Sequence, residues 1–226
     1  MAAVQGATAG RGLPVGVSPR QHLAGICSRE RRVQSNTHRV CATFGKKQEG
    51  RHAMGGELTA LWFLVSMLDM GLNHCGGDGC LHPSAREPYL SFSAGTVHFQ
   101  GDHISEEIYL RGETPVAYGP FHIVYGAAAT TEGDLWAGIG ASHWTEWEMG
   151  GADAFLQLSL IPGIYMQGDG PDLGGPVSLR AGIELGIEAR NGVRYAISLD
   201  HRSHGGLYDS NPGLETVQLR VSIPLR

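Results

Sequence analysis

The sequence predicts an all-β fold, an eight-stranded antiparallel transmembrane β-barrel of up-and-down topology. Three observations predict it. From Tyr89 onward the chain reads as short alternating runs parted by turn-rich stretches, with no sustained 3.6-residue period. The runs number eight, at 89–99, 106–113, 119–130, 134–146, 153–166, 177–190, 193–203 and 214–225, an even count that closes a small barrel. Mean hydropathy is only -0.13. That value excludes a bundle of membrane helices, each needing about 20 apolar residues, yet suits strands that set an apolar face against a polar one.

Ahead of those strands the chain divides by charge. Residues 1–53 carry nine basic side chains against two acidic ones, whereas residues 54–226 hold eight Arg, no Lys and twenty acidic residues. A split of this size marks a tail or a targeting region. Residues 1–53 therefore read as a basic extension, disordered or absent from the mature protein. Its arginines are not interleaved with aromatic residues apart from Phe44, and no nucleic-acid partner is expected. Cys27 and Cys41 fall in this extension and are expected to be unpaired or removed.

Residues 54–87 read as a candidate signal or leader followed by a Cys-containing linker. The uncharged run LTALWFLVSML at 58–68 is too short to span a bilayer as a helix and suits the apolar region of a secretory signal; an ordinary buried helix is its plainer alternative. Cys75 and Cys80 bracket Gly-Gly-Asp-Gly, a loop that a local disulfide would close in an oxidising compartment. A zinc site would need a second ligand pair, and none has matching spacing. Residues 88–226 are the barrel domain.

The last three runs decide what kind of barrel this is. Val177, Leu179, Ala181, Ile183, Leu185 and Ile187 alternate with Ser178, Arg180, Gly182, Glu184, Gly186 and Glu188. Tyr195, Ile197 and Leu199 alternate with Arg194, Ser198 and Asp200, and Val217, Leu219, Val221 and Ile223 alternate with Gln218, Arg220 and Ser222. Strands of ten residues or more suit an oblique membrane crossing, with the apolar face on lipid and the charged one filling the lumen. Arg180, Glu184, Glu188, Arg194 and Arg220 are expected to form an interior ion-pair network. Tyr89, Tyr109, Tyr125, Trp136, Trp144, Trp147, Tyr165 and Tyr195 lie mostly towards strand ends and are expected in interfacial girdles. Asn191-Gly192 signals a two-residue hairpin. That short turn belongs on the periplasmic side, which puts the longer loops 167–176 and 203–213 outside the cell.

The polar residues that interrupt the apolar face carry the chemistry. His201 and Ser203 share parity with Leu199, because alternate strand residues point the same way, and Glu215 shares parity with Val217. Burying them in a soluble core would be costly without pairing. A serine hydroxyl needs a neighbouring base to become a nucleophile; His201 can supply it, and a carboxylate can fix the tautomer and stabilise the imidazolium. An oxyanion needs preorganised donors, for which Gly205, Gly206 and Asn211 are the candidates. The acidic stretch Asp169-Gly170-Pro171-Asp172 reads as a solvated loop rather than a calcium site.

The segment LDHRSHGGLYDSNPGLETVQLRVSIPL at 199–225 closely resembles the C-terminal signature of the lipid A 3-O-deacylase family: a His, a Ser two residues on, a Glu twelve beyond the Ser, an Asn ten after the His, and a Gly-rich turn. The resemblance implies an eight-stranded outer-membrane barrel with a Ser–His–Glu triad at Ser203, His201 and Glu215. It implies a carboxylic ester hydrolase that removes the 3-O-linked acyl chain of lipid A, with lipopolysaccharide and outer-membrane lipids as partners. No metal or other cofactor is implied, and a homodimer stays open. The rival readings are a non-catalytic outer-membrane barrel with a structural or adhesion role, and a soluble lipid-binding barrel.

Overall fold

The computed structural model describes residues 54–77, 79–209 and 211–225; the readings for residues 1–53, Cys27 and Cys41 included, lie outside them. The first element is helix α1 (Met54–Asp69), which contains the apolar run and leads into a short π-helical turn (Met70–His74). Cys75 and Cys80 then form the expected local disulfide. Among the described residues nine strands follow: β1 (Pro83–Ala85), β2 (Tyr89–Phe99), β3 (Asp102–Tyr118), β4 (Phe121–Thr130), β5 (Leu135–Met149), β6 (Ala152–Met166), β7 (Val177–Glu188), β8 (Arg194–Ser203) and β9 (Leu214–Pro224).

Strands β2 to β9 pair with their sequence neighbours, and β2 pairs with β9. Closure leaves no free edge, which is what a spanning sheet needs when no water can satisfy its backbone. Strand β1 is an addition the sequence did not suggest: three residues that extend the sheet beside Val116 to Tyr118 of β3.

Strand β3 is also longer than the alternation predicted, at 17 residues against 106–113. Pro115 hides the extension, since proline cannot donate to a ladder. The register between β3 and β4 shifts between Glu113 and Ala117, so Pro115 sits where the ladder is interrupted, and its carbonyl accepts from the Arg86 N–H at 2.9 Å. At the same end of the barrel the Asn191-Gly192 hairpin forms as expected, with Gly192 at φ 83° and its N–H donating to the Ala189 carbonyl at 2.8 Å.

The barrel is inside-out relative to a soluble protein. Leu185, Ile197, Leu219 and Ile223 are exposed, Leu219 to 70 %, while Arg180, Glu184, Asp200, Arg202, Gln218 and Arg220 are buried in the lumen. A soluble lipid-binding barrel would present the reverse pattern, so that reading falls. Inside, Arg180 meets Glu107 at 2.8 Å and Asp200 at 3.2 Å. Arg111 meets Glu184 at 3.1 Å, and Arg220 and Arg202 pair with Glu184 and Glu107. Glu188 and Arg194 join at 2.7 Å near the short-turn end. The network foreseen from five residues thus recruits Glu107, Arg111, Asp200 and Arg202 as well.

The girdle expectation needs correction. Tyr89, Tyr109, Trp136 and Tyr165 are buried within the barrel, and Trp144 stacks on Phe155 at 4.2 Å beneath the Arg194 guanidinium. Only Tyr125, Trp147 and Tyr195 of the eight are exposed. The inward rings fill volume that short polar side chains leave empty. Towards the long-loop end Val97, Tyr109, Trp136, Tyr165, Leu173 and Leu214 form an apolar plug, with the Trp136 indole N–H donating to Ser178 Oγ at 3.0 Å.

Candidate functional site

Antiparallel pairing brings the candidate residues together. His201 on β8 stands directly opposite Glu215 on β9, and directly opposite residues on one face have Cβ atoms about 5 Å apart. His201 Nδ1 lies 3.3 Å from Glu215 Oε1. That is ion-pair distance, although the ring N–H is not aligned for a hydrogen bond and neither imidazole nitrogen has a hydrogen-bond partner. Contact without alignment is common in unliganded sites and tightens when substrate arrives. Ser203, two residues on, shares the face. His201 is 1 % exposed and Ser203 8 %, whereas Ile197, Leu185 and Leu219 of the same outer wall are open to lipid.

The loop after β8 covers the pair. Gly205 and Gly206 both take positive φ, 62° and 85°, which bends the chain back over the strand end at little steric cost. His204 is buried; its Nδ1 accepts from the Tyr208 N–H at 3.3 Å, and the two rings meet edge to face at 4.9 Å. Tyr208 in turn accepts the Val177 N–H at 3.4 Å, which ties this loop to the start of β7.

A cleft of about 470 Å³ opens beside His201 and Ser203, and Gly205 and Asn211 line it with them. Gly206 does not line it; it is exposed, with open space where a side chain would begin. The remaining walls were not foreseen: Leu179 and Ala181 of β7, and Thr59, Ala60 and Phe63 of α1. Parity alone could have nominated the first two, since both belong to the apolar face of β7. Phe63 and Leu179 also bound a second, apolar groove of about 510 Å³, floored by Ile123, Ile139, Leu160 and Pro162.

Helix α1 is seated on the outer wall by several contacts. Trp62 is buried, its ring 5.5 Å from that of Phe121. Asp69 lies 3.9 Å from the buried His143 of β5 and 3.3 Å from His74. Among the described residues no group of three or more His, Cys, Asp or Glu is placed to hold a metal ion.

Fold and site together define a membrane-spanning β-barrel with a hydroxyl, an imidazole and a carboxylate gathered on its lipid-facing wall. The lipid A 3-O-deacylase (PagL) family matches the chain over residues 114–224. The chain belongs to that family, and with its apolar outer wall it is a protein of the bacterial outer membrane. Among solved structures it is similar to the outer membrane enzyme PagL, at 17 % identity and a TM-score of 0.50 over 61 % of this chain and 99 % of that one. A likeness to Neisserial surface protein A, at 14 % identity and a TM-score of 0.43, covers 63 % of this chain and 99 % of that one. No curated protein matches the sequence.

Proposed function

We propose that this protein is a serine esterase that removes the 3-O-linked acyl chain of lipid A through Ser203, His201 and Glu215. The observation that carries the reading is the placement of His201 against Glu215 at 3.3 Å, with Ser203 on the same lipid-facing wall of a barrel of this family. Ser203 Oγ attacks the ester carbonyl while His201 Nε2 takes its proton. Glu215 holds the opposite ring edge and stabilises the imidazolium. The Gly205 N–H and the Asn211 amide hold the negative oxygen of the tetrahedral intermediate. His201 then returns the proton to the departing lipid A hydroxyl, and water, deprotonated by the same imidazole, frees the acyl group from Ser203.

The outward position suits this substrate, because a lipid reaches the serine without leaving the leaflet. The apolar surface of Ile123, Ile139, Leu160 and Pro162 adjoins the cleft through Leu179 and offers an acyl chain a path along the barrel wall, with or without α1. Purified protein incubated with lipopolysaccharide is expected to release 3-hydroxy fatty acid, detected by mass spectrometry. Undiminished release by Ser203→Ala would sink the triad.

For export we propose that the run at 58–68 serves as the signal. Its removal leaves the cleft open on the side that α1 walls. The N-terminus of membrane-extracted protein falls after α1 on this reading; a terminus before α1 makes the helix a permanent wall and overturns it.

A further inference from the structure

We infer that Gly213 and Ala181 form a slot that sets the position of the His201 imidazole, which makes them positioning residues for the reaction; the inference rests on the triad reading above. His201 has unusually little to hold it. Both ring nitrogens lack an aligned hydrogen bond, yet the residue is almost wholly buried. Glu215 faces one ring nitrogen at 3.3 Å, and packing has to supply the rest of the orientation.

One close approach and one register neighbour define the slot. A Cβ placed on Gly213 would lie 2.3 Å from His201 Cε1, 2.9 Å from Nε2 and 3.2 Å from Nδ1. The bare α-carbon of Gly213 is therefore in contact with the ring edge that joins the two nitrogens. On the neighbouring strand Ala181 stands opposite His201 in register and is 2 % exposed. Between these walls Nδ1 is held towards Glu215, which leaves Nε2 for Ser203. Any group larger than hydrogen at 213 has to push the ring, and a displaced ring loses one of its two partners. Sequence offers a reason for the glycine only in retrospect: it stands two residues before Glu215, where the loop re-enters the sheet.

The test compares Gly213→Ala, Ala181→Val, their counterpart Gly213→Ala/Ala181→Gly, and Ser203→Ala. Heat-modifiable migration reports the folded barrel, and release of 3-hydroxy fatty acid gives kcat and KM. Gly213→Ala is expected to fold and to lose about 10²-fold in kcat, the scale of an ångström of misplacement, with KM within about threefold of the parent. Ala181→Val crowds the ring from the other side and is expected to show the same split. Freeing space opposite the new methyl group, as the double variant does, is expected to recover about tenfold over Gly213→Ala.

Full kcat in both single variants overturns the slot, as does a double variant with no recovery. Failure of Gly213→Ala to fold, together with an active Ala181→Val, shows that the glycine serves folding and overturns it too. An active Ser203→Ala sinks the triad instead, whatever the slot variants do, so the two failures are distinguishable.

Discussion

The lumen and the rim of the outer wall both bury charged and polar side chains, and they do so in opposite ways. In the lumen each carboxylate is matched: Glu107 faces Arg180 and Arg202, and Glu184 faces Arg111 and Arg220. On the rim, His201 is buried as deeply but has no aligned hydrogen bond, and its one charged neighbour is the half-buried Glu215. Matched groups are stabilised in place and have no reason to react. A buried imidazole with an unengaged nitrogen facing a cleft is a group waiting for a proton.

Mutation can break that comparison at either place. The largest expected effect is on the rim: Ser203→Ala or His201→Ala lowers kcat by about 10⁶-fold, measured as fatty-acid release from lipopolysaccharide, with heat-modifiable migration unchanged. Glu215→Gln, which keeps the shape but not the charge, is expected to lower kcat by about 10⁴-fold, again in a folded barrel. The lumen reverses the pattern. Glu107→Ala leaves Arg180 and Arg202 without their shared carboxylate and is expected to cost about 3–5 kcal/mol of stability. Guanidinium unfolding in detergent reads that loss, while activity per folded molecule stays near the parent's. The smallest effect is expected at Ile197, 60 % exposed on the lipid side of β8. There Ile197→Arg costs about 2–4 kcal/mol near the bilayer midplane and less towards the interface. A Glu107 variant that loses activity while fully folded would erase the distinction between the two regions.

The eight barrel strands were legible because a period of two survives wherever each face meets one solvent, but that period is the same in a soluble barrel, and strand length favoured the inside-out arrangement. The same parity brought His201, Ser203 and Glu215 to one wall before any coordinates were considered. What escaped was whatever depends on contacts distant in sequence. Tyr109, Trp136 and Tyr165 read as interfacial because they are aromatic and near strand ends, yet the lumen needs bulk between its ion pairs and takes them inward. The length of β3 was masked by Pro115, whose tolerance depends on a register shift that only the partner strand reveals. The α1 wall of the cleft and the contact of Gly213 with His201 join segments whose proximity no local pattern encodes. Gly206 reads as an oxyanion candidate for the backbone freedom it shares with Gly205, yet it lies outside the cleft.

The plug of Val97, Trp136, Tyr165 and Leu173 above the ion-pair layer has a consequence for the cell that bears this protein. A bacterium relies on its outer membrane as a permeability barrier, and many barrels inserted there compromise it by admitting solutes. Here an apolar cluster lies in the lumen towards the long-loop end, and a packed apolar layer disfavours the passage of water and ions through a barrel this small. Such packing suits a protein that works on lipid from within the barrier it sits in.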